Sequence, residues 1–209
     1  MKGELFILSS PAGGGKTTIA NILIKEVPNL KRVITCTTRK PRNGEREGVD
    51  YYFLTEEEFE RRIKEGKFLE YAVVHGNYYG TPKEEVEKEL SKGFDLLLVI
   101  DVQGMLQIKS KKSDVVSIFL LPPSLDELIN RMKKRGDSPE EIKRRLETAK
   151  KEIPQYKKYD YVVINDVLEK AKDEVKCIIN SHRCKVSRFS PKVIKDDELR
   201  KLMENEKYS

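Results

Sequence analysis

SSPAGGGKTT, residues 9–18, is the stretch on which the reading of the fold turns. A glycine-rich turn between a buried strand and a helix aims successive backbone N–H groups inward. Those donors, with the positive end of the helix, hold phosphate oxygens. The usual form is Gly, four residues, Gly, Lys, then Ser or Thr. Here Ser10 stands where the first glycine belongs, followed by Pro11, Ala12, Gly13, Gly14, Gly15, Lys16, Thr17 and Thr18. Lys16 would reach the β and γ phosphates of a nucleoside triphosphate, and Thr17 would offer its hydroxyl to Mg²⁺. The flanks supply the context that the motif needs. ELFIL, residues 4–8, is an apolar run suited to a buried parallel strand, and Ile19, Ile22, Leu23 and Glu26 recur at helical spacing up to Pro28.

Three further apolar runs extend the pattern: FDLLLVID (94–101), VVSIFLL (115–121) and YDYVVIN (159–165). Strands this apolar, separated by helix-length segments, call for a mostly parallel sheet covered on both faces. The fold class expected is α/β, a three-layer P-loop core built from residues 1–33, 91–125 and 151–183. Residues 34–90 read differently, rich in β-formers, glycine and arginine, and are expected to form a small antiparallel sheet inserted as a separate lobe. Within it Thr55 should cap a short helix, with Glu58 three residues on. Residues 126–150 form a second, highly charged insertion, where Ser138, Pro139 and Glu141 make a capping box and Ile142, Leu146, Ala149 and Ile153 a stripe. Residues 184–209 are a polar tail, helical near Leu199 to Met203.

Composition narrows the function classes. A chain of 209 residues suffices for a full buried core, and nine Tyr and seven Phe argue against disorder despite a 36% charged share. The net charge of +6 favours anionic partners, yet the basic residues alternate with acids and make no nucleic-acid stripe. Cys36, Cys177 and Cys184 have no metal-knuckle spacing, which suits reduced thiols in a cytoplasmic protein. No run approaches the roughly 20 apolar residues of a membrane span, and the short apolar N-terminal run belongs to a strand rather than to a signal peptide. A homo-oligomer is left open.

Other residues acquire meaning beside the loop. Asp101, ending an apolar strand, suits either a companion of the metal and phosphates or a helix cap. Arg39 and Arg42 flank Pro41 in a turn that could aim both guanidiniums at one anion; a solvated basic loop is the alternative. Thr81, Pro82 and Glu84 have the spacing of a capping box, and Tyr78 and Tyr79 suit a strand.

Together these stretches resemble the guanylate kinase family in its bacterial form. The resemblance rests on SPAGGGKTT, TTRKPRNGEREGVDYYF, FLEYAVVHGNYYGTP, IDVQG, FLLPPS, RMKKRGDSPEEIKRRL and YDYVVINDVLEKA, in that order over about residues 4 to 183. It implies transfer of a phosphoryl group from MgATP to GMP, and to dGMP, giving ADP and GDP in purine metabolism. Residues 34–90 become the GMP-binding lobe and 126–150 a mobile lid. ATP would be held by Pro11 to Thr18, with Asn165 and Asp166 beside the adenine. Arg39, Arg42, Tyr51 and Tyr79 would hold the GMP phosphate. Thr35 and Thr81 would contact the base edge, Glu70 would accept from guanine N1–H and N2–H₂, and Asp101 would complete the GMP site. Lys16, Arg42, Arg131, Arg135 and Arg145 would carry catalysis, whereas Lys133, Lys134, Lys143 and Arg144 read as solvated.

One departure stands out. Val99 occupies the place of the first acid in a common Asp-x-Asp pattern, leaving Asp101 alone. Two rival readings remain. Catalytically dead relatives of this fold serve as scaffolds that bind phosphorylated partners, but they typically lose the loop lysine or glycines, which persist here. The basic pI alone suggests a nucleic-acid binder, which salt-dependent DNA affinity without kinase activity would support.

Overall fold

The structure is a computed structural model that describes residues 2–74 and 76–203. Elements follow in chain order: β1 (Leu5–Ser9), α1 (Lys16–Glu26), β2 (Leu30–Arg32), β3 (Thr35–Thr37), β4 (Tyr51–Phe53), α2 (Glu56–Lys64), β5 (Phe68–Val74), β6 (Asn77–Pro82), α3 (Lys83–Ser91), β7 (Asp95–Val99), α4 (Val102–Lys111), β8 (Val116–Leu121), α5 (Leu125–Lys134), α6 (Pro139–Glu152), β9 (Tyr161–Ile164), α7 (Leu168–Arg183) and α8 (Asp197–Met203).

The first sheet has the order β2-β7-β1-β8-β9, with every pair parallel. Its inner strands β1, β7 and β8 are largely apolar at successive positions because alternate side chains serve opposite faces, whereas the edge strand β9, expected to be buried, leaves Val162 and Ile164 exposed. Phe6 and Leu8 of β1 pack with Ile19 and Leu23 of α1 and with Val175 and Ile179 of α7. Leu5 and Ile7 face the other way, onto Val86 and Leu90 of α3 and onto Met105 and Ile108 of α4. The three-layer α/β core follows from that alternation. The short strand β2 was not foreseen; three residues give too little pattern to register.

The second sheet has the order β4-β3-β6-β5. It is mixed, which corrects the expectation of an antiparallel sheet: β3 pairs parallel with β4, while β3–β6 and β5–β6 are antiparallel. The connection from β3 to β4, residues 38–50, has the dozen or so residues that a parallel crossover needs. Phe59 of α2 stacks on Phe68 and Tyr78 beneath this sheet. Thr55 caps α2 by accepting from Glu58 N–H at 3.2 Å, but the Glu58 carboxylate turns away to Arg61 and Arg62.

The capping box of α6 forms as expected, with Ser138 and Glu141 bonded reciprocally. The one anticipated at Thr81 does not. Thr81 lies inside β6, α3 begins after Pro82 without a side-chain cap, and the Thr81 hydroxyl donates to Glu70 instead. A buried carboxylate one strand away is the stronger claimant on a hydroxyl than N–H groups at an open helix end. Arg183, at the end of α7, and Arg188, beyond it, converge on buried Asp95 and tie this part of the chain to the start of β7. The helix anticipated near Leu199 to Met203 is α8; residues 204–209 lie outside the described residues. Among the described residues, no helix is long and apolar enough to cross a membrane.

Candidate active site

The C-terminal ends of β1, β7 and β8 open onto the glycine-rich loop, where a parallel sheet ordinarily receives its ligand. Gly13 and Gly15 take φ of 83° and 96°, left-handed values that glycine adopts without strain, and the Gly14 N–H between them donates to the Pro11 carbonyl at 2.9 Å. Ser10 is buried. Its hydroxyl bonds to the Pro11 carbonyl at 2.9 Å, and its Cβ and Oγ lie where a Cβ on Gly14 would have to go. The serine at the first motif position therefore fits because Gly14 has no side chain. Thr17 and Thr18 begin α1 exposed, and the Thr17 hydroxyl makes no bond among the described residues.

Lys16 folds back over the loop, with Nζ 3.4 Å from the Ser10 carbonyl. Desolvation pulls its pKa below the usual lysine value, against Glu152 and Asp101, while Arg135 and Arg145 push it down further. The loop is held from two sides. Asn165, buried at the end of β9, donates from Nδ2 to the Gly14 carbonyl at 2.8 Å. A side chain on Gly13 would meet Leu128 and Met132 of α5, which with Ala149 form a small core against Ala12. The charged segment thus packs directly on the loop. Asp166 is exposed, and Asn165 has its amide engaged by the loop.

The second sheet carries a separate cluster. Arg39 bonds to Tyr79 Oη at 3.2 Å and to Glu45 at 2.9 Å, and its guanidinium stands 5.4 Å from the centre of the Tyr51 ring. The Tyr51 and Tyr79 rings are 6.0 Å apart. The proline turn has the same organiser, since Arg42 N–H donates to the other Glu45 oxygen at 2.8 Å. Burial opposes the Glu45 charge, but the bonds from Arg39 and Arg42 outweigh it and hold the carboxyl below its usual value. The Arg42 side chain is exposed. Sequence reasoning did not single out Glu45, although it lies within the motif on which the resemblance rests.

Glu70 of β5 is only 2% exposed. Thr81 Oγ1 donates to its Oε1 at 2.5 Å, and its Oε2 lies against Gly104, 2.7 Å from where a side chain there would begin. Desolvation pushes the carboxyl up to about 7, with the Asp101 charge adding to it and the Thr81 bond opposing. Thr35 is buried on β3, on the far side of β6 from Glu70. Asp101 caps α4, accepting from Gly104 N–H at 2.9 Å; its charge also reaches Lys16 and Glu70. Val99 packs with the apolar cluster beneath α1 and α7.

The three arginines of the charged segment do not gather at one point. Arg131 is tied to Glu127 at 2.7 Å and to the Asn165 carbonyl at 2.9 Å, on the β9 side. Arg135 and Arg145 meet instead at Asp137. Lys133, Lys134, Lys143 and Arg144 are exposed. Glu152, at the end of α6, was also missed by the sequence reading. Burial pushes its carboxyl up to about 7 beside Lys16, whose charge works against the rise.

A glycine-rich loop, an arginine–tyrosine cluster and a buried carboxylate invite comparison with known proteins. The guanylate kinase family model matches residues 2–182. The chain is 46% identical over 201 residues to guanylate kinase of Clostridium perfringens (strain 13 / Type A), spanning 95% of this chain and 93% of that one. The chain belongs to the guanylate kinase family. Guanylate kinase of Caldanaerobacter subterraneus subsp. tengcongensis is 49% identical over 188 residues, 90% of this chain and 91% of its own. The crystal structure of guanylate kinase from Anaplasma phagocytophilum superposes with a TM-score of 0.78 at 37% identity, covering 98% of this chain and 95% of that one. Guanylate kinases are nucleoside monophosphate kinases, and this enzyme class is the one to which the loop and sheet geometry belong.

Proposed function

We propose that this enzyme transfers the γ-phosphoryl group of MgATP to GMP, and to dGMP, yielding ADP and GDP for purine nucleotide metabolism in the cytoplasm. The observation that carries the choice of acceptor is the buried Glu70, bonded by Thr81 and set against Gly104. A carboxylate in such a place needs donors. Guanine offers N1–H and N2–H₂ together, whereas adenine lacks the pair and would leave the charge unmet. Thr35, buried on β3 of the same sheet, would add a contact to the base edge.

Arg39, Tyr51 and Tyr79, with Arg42 from the proline turn, hold the GMP phosphate. Residues 11–18 cradle the ATP phosphates, Lys16 neutralises them, and Asn165 fixes the cradle from below. Asp166 stands free beside the same strand end for the donor nucleotide. Arg135 and Arg145 face the transferring group from the helical segment, and Arg131 steadies the donor side. Catalysis then rests on positioning and on charge neutralisation without a covalent enzyme intermediate. Packing of α5 and α6 on the loop excludes water, which would otherwise hydrolyse ATP.

Magnesium fits this arrangement as a partner of the nucleotide. Among the described residues, no three His, Cys, Asp or Glu side chains group as a metal cage. The unengaged Thr17 hydroxyl is the protein's contribution, with phosphate oxygens and water supplying the remainder. When bound, the ion would neutralise phosphate charge. The decisive experiment is a panel of ATP with GMP, dGMP, AMP, CMP and UMP, with and without Mg²⁺. Turnover confined to the guanine nucleotides and dependent on Mg²⁺ is expected; equal turnover with AMP would overturn the assignment of Glu70.

A further inference from the structure

Two guanidiniums of like charge do not share a small volume without an anion between them. In the helical segment that anion is supplied by the chain. Arg135 ends α5 and Arg145 lies in the middle of α6, with the turn around Gly136 between the helices. Asp137, in that turn, faces both. It accepts from Arg135 Nε at 3.3 Å through Oδ1 and from Arg135 Nη2 through Oδ2. Its Oδ2 is also 3.6 Å from Arg145 Nε. The Asp137 and Arg145 side chains are each only 10% exposed, so solvent screens the contact poorly.

The edge by which each arginine is held matters more than the contact itself. Asp137 takes Arg135 by its Nε/Nη2 edge, which leaves Nη1 free. It faces Arg145 on the Nε side, while Nη2 of Arg145 stands 3.8 Å from Glu141. Arg145 Nε is buried and has no hydrogen bond in this arrangement. A guanidinium is a rigid planar fork, so fixing one edge aims the other.

We infer that Asp137 is a positioning residue, which bonds Arg135 by its Nε/Nη2 edge, draws Arg145 alongside by charge, and presents their remaining N–H groups as one clamp for the transferring phosphate. The inference rests on the reading that these two arginines serve phosphoryl transfer. The surrounding charges agree with it. Burial opposes the Asp137 charge, but the Arg135 bond and the fields of Arg135, Arg145 and Arg42 hold its carboxyl below the usual value. Arg42 comes from the proline turn of the second sheet, so the carboxylate lies where both halves of the site meet. Arg135 and Arg145 in turn act on Lys16, which places the pair within reach of the loop that holds ATP.

The test is Asp137→Asn in the full chain, beside Arg135→Ala, Arg145→Ala and the double variant Asp137→Asn/Arg135→Ala. Asparagine keeps the shape and removes the charge. We expect kcat to fall ~10- to 100-fold, as for misplaced catalytic groups, with KM for ATP and for GMP within about threefold of wild type. In the Arg135→Ala background the same change should cost less than about threefold, because one of its two clients is gone. Unchanged kcat in Asp137→Asn, with both arginine variants impaired, overturns the positioning role alone. Near-normal turnover in both arginine variants overturns the underlying reading instead. A second measurement serves if Asp137→Asn fails to fold. In the wild-type protein the Arg135 Nε–H resonance, assigned by its loss in Arg135→Ala, should be sharp and slow to exchange with water. A signal broadened by exchange like that of an exposed arginine overturns the clamp.

Discussion

Glu70→Gln separates stability from recognition, because the two should move in opposite directions. Desolvation lifts the Glu70 carboxyl from 4.5 to about 7 in the folded chain. At about 1.36 kcal/mol per pH unit, keeping the group ionised above pH 7 costs the fold about 3 kcal/mol. The sign follows from proton counting: between pH 4.5 and 7 the folded state holds the proton that the unfolded state has released, so stability falls as pH rises through that window. Glutamine carries no such dependence. Melting temperatures of the two proteins should therefore coincide near pH 4.5 and diverge towards pH 8. For a chain of this size, 3 kcal/mol corresponds to about 6–12 °C in favour of the variant, trimmed by the amide's own need for an acceptor. Glu152, also lifted to about 7, titrates alike in both proteins and drops out of the difference.

Recognition should go the other way. Guanine N1–H and N2–H₂ would meet an amide that has one acceptor and a competing donor. The loss is about 2–4 kcal/mol, or roughly 30- to 1000-fold in GMP affinity at pH 8. Calorimetric titration in buffers of different ionisation enthalpy adds a second reading. On binding GMP between pH 5 and 7, wild-type enzyme should release up to one proton more than the variant, because the ionisation of the GMP phosphate is common to both. Parallel melting curves from pH 4.5 to 8, or GMP binding unaffected by the substitution, would refute the assignment of a buried charge awaiting guanine.

Three other substitutions test the remaining parts of the site. Lys16→Ala should abolish most turnover while shifting the melting temperature little, because Nζ makes one long bond at 3.4 Å; coupled ADP-release assays and thermal melts read the two effects. Gly15→Ala should cost about 2–3 kcal/mol from its φ of 96° and the collision of a Cβ with Asn165 Nδ2 at 2.2 Å, and urea titration should show that loss together with weakened ATP binding. Gly104→Ala should displace the buried Glu70 carboxylate, since the new Cβ would stand 2.7 Å from its Oε2 and 3.1 Å from its Cδ, while alanine's helix preference offsets part of the cost to the fold. Its effect should appear as a raised KM for GMP with KM for ATP unchanged.

Much of this was legible from residues alone, for identifiable reasons. A parallel strand buried on both faces has to be apolar throughout, so LFIL, LLLV and SIFLL announced the core. The loop motif depends on backbone geometry that glycines alone permit, so Gly13 and Gly15 could be read directly. Ser138, Pro139 and Glu141 act within one helical turn, and the capping box formed as written. Thr81 shows the limit of the same logic. Its spacing was that of a cap, yet its partner was Glu70, a residue eleven positions earlier that pairing of β5 with β6 brings opposite.

The sequence by itself determined the α/β layering, the glycine-rich loop and the likeness to the guanylate kinase family, because each is encoded over a few neighbouring positions. Tertiary structure decided how the charges share one another. Glu45 became the hub of Arg39 and Arg42, Asn165 became the brace of Gly14, and Asp137 rather than Arg131 became the companion of Arg135 and Arg145. A charge pair depends on distance and desolvation, and neither exists until strands and helices remote in sequence have packed.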